Sequence, residues 1–284
     1  MKKLLLIILL LCLVSCQKNF NKLTDTDQRS ITFRFNPNDY FAHILLHDNG
    51  EYHLCTSIDL DEGYNLQITG YCYDTEGMLV AKQQVFGDLE HDLTLLFKHL
   101  YRNQQYHFLF MADIVENDSD LYYYEIWFQM HTNELSGFYT TSFESRVDKR
   151  YNVLLSANMD VTPDNNTMTV DMNPIAYNGY FVFKNLDESI WSGTIMFYNR
   201  MLVVGCKGVD RTEHMIKFPQ NQSSFIITHN AHNGDNFFTF NIKKTEEDIV
   251  HNYNIRVIDK EHRPFVATID FASGVPEVTN VKLY

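Results

Sequence analysis

Residues 64–84, YNLQITGYCYDTEGMLVAKQQ, and residues 104–116, QQYHFLFMADIVE, decide the fold. In the first stretch Leu66, Ile68 and Gly70 share a face opposite Gln67 and Thr69. In the second, Tyr106, Phe108, Phe110 and Ala112 share a face in the same way. A period of two is that of a strand, since successive side chains of an extended chain point to opposite sides. Between the runs at 64–73 and 79–84, Asp74-Thr75-Glu76-Gly77 supplies hairpin chemistry: an Asp that bonds its own backbone and a Gly free to take positive φ.

Working outward, the same alternation recurs at Ile31, Phe33 and Phe35, at Tyr124, Ile126 and Phe128 opposite Glu125 and Gln129, and at Met168, Val170 and Met172. Further runs cover Tyr180–Lys184, Gly193–Tyr198, Phe225–Thr228, Phe237–Ile242, Tyr253–Ile258 and Phe265–Phe271. With 21 Phe and 17 Tyr, the composition is that of pleated sheet. Short strands separated by turn signals predict an all-β chain of two mainly antiparallel β-sandwich domains in tandem. Residues 161–166 (VTPDNN) form a turn cluster and set the expected boundary, giving domains 31–158 and 159–284. The loop from His229 to Asp235 is expected to close a tight hairpin between its flanking strands. Helical candidates are few, Asp39–His47 and Thr245–His251, while Leu135–Arg150 is mixed and could hold a short helix or a domain crossover.

The N-terminus has a different logic. Lys2-Lys3, the apolar run Leu4–Val14 and then Ser15-Cys16 are the charged start, greasy core and small residue of an export signal, and the run is too short to span a bilayer. Leu13-Val14-Ser15-Cys16 resembles a bacterial lipobox, which implies cleavage between Ser15 and Cys16 and acylation (palmitate) of Cys16. Residues 1–15 are then the signal peptide and 16–30 a polar tether, and multiple acyl chains anchor stably. Gln17 rather than Asp after the cysteine implies, by the same resemblance, an outer-membrane destination facing the cell surface.

Formal charge is −13, and loss of Lys2 and Lys3 takes it to −15. Such a surface repels phosphate backbones, so nucleic acid is not an expected partner. Cys55, Cys72 and Cys206 remain after processing, an odd and widely spaced set that reads as buried thiols, with a Cys55–Cys72 bridge as the alternative. No metal or cofactor is expected. His43, His47 and His53 could share one face, but among 12 histidines such a spacing is expected by chance and structural or exposed histidines are the preferred reading, and the oxygen-rich loops Asn117–Asp120 and Asp164–Asn166 do not match a calcium loop. Nucleophile-elbow, zinc-protease and phosphate-loop motifs are missing, and Glu125, Asp171 and Asp270 read as solvent-facing strand residues, so no catalytic residue is assigned. Tyr122-Tyr123-Tyr124 with Trp127, and Trp191, are the candidates for stacking on a glycan; packing in a core or at an edge is the competing role.

The pattern Tyr71, Tyr73, Asp74, Gly77, Leu79, Val80, then Tyr106, Phe108 and Ala112 resembles the first domain of the fimbrillin superfamily of Bacteroidales, including its Mfa2/FimB-like anchor or accessory lipoproteins. The resemblance implies two transthyretin-like sandwiches and a place in a surface fimbria. It also implies, for shaft subunits, cleavage after an early arginine. Arg29 and Arg34 are the early arginines here and have no loop context, which favours an uncut anchor or accessory subunit. Val278–Tyr284 alternates, and either completes its own sheet or adds to another subunit's edge. The expected function is a non-catalytic outer-membrane lipoprotein, structural or adhesive, acting by protein–protein contact. The alternatives are a glycan-binding lipoprotein of a polysaccharide-uptake system and a secreted hydrolase.

Overall fold

The computed structural model describes residues 27–48, 51–54, 60–116, 133–135, 146–147, 151, 153–175, 177–187, 189–200, 211–218, 224–229, 235–244, 250–259, 261 and 263–284. In chain order the strands are β1 (Gln28–Phe35), β2 (Leu45–Asp48), β3 (Glu51–Leu54), β4 (Tyr64–Tyr73), β5 (Leu79–Gly87), β6 (Leu93–Tyr101), β7 (Tyr106–Glu116), β8 (Arg146–Val147), β9 (Leu154–Val161), β10 (Thr167–Thr169), β11 (Asn173–Pro174), β12 (Tyr177–Lys184), β13 (Trp191–Arg200), β14 (Arg211–Phe218), β15 (Ser224–His229), β16 (Asp235–Lys244), β17 (Val250–Ile258), β18 (Phe265–Asp270) and β19 (Glu277–Leu283). The chain is all-β, as its alternation predicts.

Two packed pairs of sheets account for most strands. A three-stranded sheet, β10-β1-β6, faces a five-stranded sheet, β11-β9-β7-β4-β5, and one hydrophobic core lies between them. There Phe33 of β1 meets Phe97 of β6 and both Phe108 and Phe110 of β7, with ring centroids 5.9, 4.6 and 4.7 Å apart. The second core lies between β19-β18-β12-β15-β8 and β14-β13-β16-β17, centred on Phe181, which touches Phe238, Phe240 and Phe265. Pairing is mainly antiparallel; β1–β10 and β12–β18 are parallel. Alternate residues of each strand enter the core, and aromatic side chains supply the large buried area that sheet-on-sheet packing requires.

The expected hairpin at Asp74–Gly77 joins β4 and β5. Asp74 Oδ1 accepts from the backbone N–H of Glu76 and Met78 at 3.0 and 2.8 Å, and Gly77 takes φ +80°.

β4 is buried on both sides from Leu66 onward, Gln67 and Thr69 included, as is β7 from Phe108 to Val115. Period-two reading assigns polar residues outward, but a central strand covered on both faces takes them inside. Asp39–His47 forms a single 3-10 segment, Pro37–His43, followed by β2. Seven residues are too few to sustain a free-standing helix, and Ile44 is already extended. Of Thr245–His251, Val250 and His251 open β17, and 245–249 lie outside the described residues. β15 and β16 do not pair with each other as the expected hairpin would have them, since β15 pairs with β12 and β8 whereas β16 pairs with β13 and β17 in the facing sheet. Residue 158 lies inside β9, which pairs with β7 continuously from Leu154 to Val161. The turn cluster after it leads to β10, which returns to β1; turn chemistry is the same within a sandwich as between two.

Candidate interaction surface

The second core is open along one side. In β19, Leu283, Val281 and Val278 pair with Phe265, Ala267 and Ile269 of β18, so all six belong to the face turned toward that core. The three β18 residues are buried, yet Val278 is 37 % and Val281 41 % exposed. The cause is a mismatch in width. Among the described strands, the sheet facing β19 ends at β17 and leaves β19 overhanging. Tyr253 of β17 stands near this rim: burial, with the charge of Glu277 adding to it, pushes the tyrosine hydroxyl pKa up.

A bulge keeps this apolar face in register. Thr268 pairs with Asn280 and Ile269 with Val278, so Thr279 is an extra residue in β19. Without it, Val278 and Val281, three positions apart, would point to opposite faces. No single-period reading of Val278–Tyr284 could show this. The pairing partner across the bulge decides it.

Two further edges carry apolar side chains. On β5, Val80 and Phe86 are 47 % and 52 % exposed, and the start of this edge is met by residues 133–135. Leu79 N–H donates to the Asn133 carbonyl at 2.9 Å and Leu135 N–H to the Gly77 carbonyl at 2.6 Å. On β17, Val250 and Ile258 lie on the outer face.

Ser15, Cys16 and Trp127 lie outside the described residues, as do Tyr122–Tyr124, Glu125, Cys55 and Cys206. Trp191 is brought into the second core at 4 % exposure, against Phe271 at 5.5 Å, with Lys244 Nζ 5.9 Å from its ring centroid. Its ring therefore packs in the core, the competing role, rather than standing as a platform for a sugar: as the first residue of β13 it alternates inward with Ile195. Cys72 is a free, fully buried thiol whose pKa is pushed up to about 12 by burial, with Asp74 adding to it. Such a thiol is inert.

His47 pairs with Tyr52 and His53 with Leu46, so these two occupy neighbouring rather than facing positions of the β2–β3 ladder. In the Asp164–Asn166 loop, Asn165 is already used, accepting from Ser30 N–H at 2.8 Å at φ +52°. Among the described residues no three His, Cys, Asp or Glu side chains are grouped to hold a metal ion. Asp171 is exposed, and Asp270 accepts from Asn185 Nδ2 at 2.8 Å and from Ala272 N–H at 2.9 Å. Arg29 and Arg34 both lie in β1; Arg34 sits between Thr94 of β6 and Thr169 of β10. No helix among the described residues is long and apolar enough to cross a membrane.

Neither a protein-family model nor a curated protein sequence matches the chain. Solved structures do share its outline. The structural neighbours include the fimbrial anchor protein Mfa2 of Porphyromonas gingivalis, at 10 % identity and TM-score 0.48, covering 90 % of this chain and 97 % of that one. They also include the tip fimbrial protein Mfa3 of the same organism, at 9 % identity and TM-score 0.43, covering 90 % and 100 %. A Bacteroides thetaiotaomicron protein described as polysaccharide binding (DUF1812) is similar at 11 % identity and TM-score 0.48, covering 90 % and 98 %. With each of these TM-scores below 0.5, none of the resemblances carries an assignment.

Proposed function

We propose that the chain is a non-catalytic lipoprotein of the outer membrane, a structural or adhesion component of a fimbria-like assembly that works by protein–protein contact. The observation that carries this reading is the overhanging edge of β19, where Val278 and Val281 stay half exposed beside fully buried Ala267 and Ile269. An edge strand offers unpaired backbone donors and acceptors to a neighbour's strand, and apolar side chains beside it add affinity. Cleavage between Ser15 and Cys16, acylation of Cys16 and the tether 16–30 would hold that edge at the cell surface. The chain divides, in this proposal, at residues 175–177 rather than 158/159, which keeps β9, β10 and β11 with the sheets they pair into, while β8, earlier in the chain, crosses to pair with β15 of the second unit. The neighbours' names include both fimbrial and polysaccharide-binding proteins and decide nothing between the two.

The test is crosslinking with mass spectrometry on intact cells carrying an affinity-tagged copy, beside a Cys16→Ala copy. Crosslinks from β19 to other surface protein subunits, lost with Cys16→Ala, are expected. Crosslinks confined to transport and glycan-binding lipoproteins would overturn the reading. Metabolic labelling with a palmitate analogue, present in the parent chain and lost in Cys16→Ala, tests the anchor separately.

A further inference from the structure

We propose that β19 is a self-pairing edge, through which two copies of this chain join antiparallel about a two-fold axis at Asn280. The proposal rests on the reading of the chain as one that acts by protein–protein contact, and names a partner: a second copy.

The strand itself carries the argument. Around Asn280, and with the bulged Thr279 set aside, β19 reads Glu277, Val278, Asn280, Val281, Lys282. A two-fold axis through Asn280 sets Glu277 of each copy opposite Lys282 of the other, Val278 opposite Val281, and Asn280 opposite itself. Faces match, because paired residues of an antiparallel ladder must share a side of the sheet. Two ion pairs and two valine pairs form at once, and opposite-charge and β-branched cross-strand pairs are the stabilising kind. The valines that meet are the two left half exposed by the overhang.

The bulge makes the match. Counted without it, Glu277 and Lys282 are five positions apart and fall on opposite faces; with Thr279 set aside they are four apart and share one. Bulges and lysines on edges ordinarily keep chains from pairing. Here the lysine is answered by an acid at the symmetry-related position. The two other edges with exposed apolar side chains described above, β5 and β17, lack this feature. Self-pairing of β17 or of β5 in antiparallel register brings no acid opposite Arg256 or Lys82, since neither strand contains one.

Two short edge strands bury far less than the ~1,200 Å² of a stable interface, so the dimer is weak and concentration-dependent. Tethering on one surface favours it by raising effective concentration.

The test uses the full chain purified in detergent, with charge variants read by sedimentation velocity over a concentration series. Glu277→Lys or Lys282→Glu is expected to weaken self-association about tenfold, because each places like charges opposite in both symmetry-related pairs. The double variant Glu277→Lys/Lys282→Glu restores it. Cysteine pairing fixes the register. Asn280→Cys gives a covalent dimer, since directly opposed Cα atoms lie at about 4.5–5.5 Å, within disulfide reach. Glu277→Cys alone does not, its two copies being about 13 Å apart, but mixed with Lys282→Cys it does. Absence of the Asn280→Cys dimer above the background of the parent chain, or failure of the double variant to restore association, overturns the proposal. If the charge variants leave cellular crosslinks from β19 to other subunits intact while self-association is not seen, the self-pairing is wrong and the assembly reading stands.

Discussion

At the scale of single residues, a few positions have no freedom. Gly179 of β12 lies directly opposite Phe265 of β18, and a Cβ there would stand 2.6 Å from Phe265 Cζ. That ring is fully buried and held by Phe181 and Phe238, so it has nowhere to go. Gly179→Ala is expected to cost about 1–3 kcal/mol by overpacking, read from urea unfolding. Asp259 is buried after β17, and its carboxylate accepts from Arg263 N–H, Nε and Nη2 and from Glu261 N–H. Burial alone would raise its pKa, but the Arg263 side chain with those backbone donors outweighs it and holds the carboxyl below its ordinary value. A group depressed in the folded state contributes stability above its unfolded pKa, about 3.9, and loses it as pH falls through the folded value. The turn held by Asp259 and Arg263 should therefore be intact at neutral pH and lose its support progressively as pH falls below the ordinary carboxylate value and through the lower folded one, with protection of the Arg263 amide against hydrogen exchange falling there. In Asp259→Asn that amide should already exchange faster at pH 7.

Among elements, the β4–β5 hairpin depends on Asp74. Its side chain closes the turn through two backbone bonds while Gly77 supplies positive φ. Asp74→Ala is expected to cost about 1–2 kcal/mol, and Asp74→Asn, which retains an acceptor oxygen, distinctly less; chemical denaturation separates the two. The β19 element behaves differently. It has one pairing partner among the described strands, its inward face is half covered, and its bulge accentuates local twist. Local opening is easiest where few apolar contacts and many solvent-facing backbone bonds coincide. Amides of β19 should accordingly exchange faster than those of β12, which is paired on both sides.

In the molecule as a whole, the two cores share no residue. One is built from residues 31–170 and the other from 181–271. Phe33 and Phe181 stand at equivalent places in them, each buried and touching at least three other aromatic rings. Removing either ring should cost its own core about 3–5 kcal/mol. If the cores unfold separately, Phe33→Ala lowers one calorimetric transition and Phe181→Ala the other. Equal lowering of a single shared transition by both variants would show one cooperative unit.

The sequence by itself determined that the chain is all-β, placed many of its strands and showed which side of several of them is apolar. Ile31, Phe33 and Phe35 are buried as their alternation predicts, and Asp74–Gly77 turns where its chemistry says it must. Those properties are local: period two and turn preference act over a few residues. Tertiary structure decided the rest, because burial depends on what lies across a sheet. It placed Gln67 and Thr69 inside, turned Trp191 into the core, carried 159–174 back to the first sheets and left Val278 and Val281 uncovered. The charge pattern of Glu277 and Lys282 was legible all along. Its meaning was not, since only pairing with β18 reveals the bulge at Thr279 that brings the two onto one face.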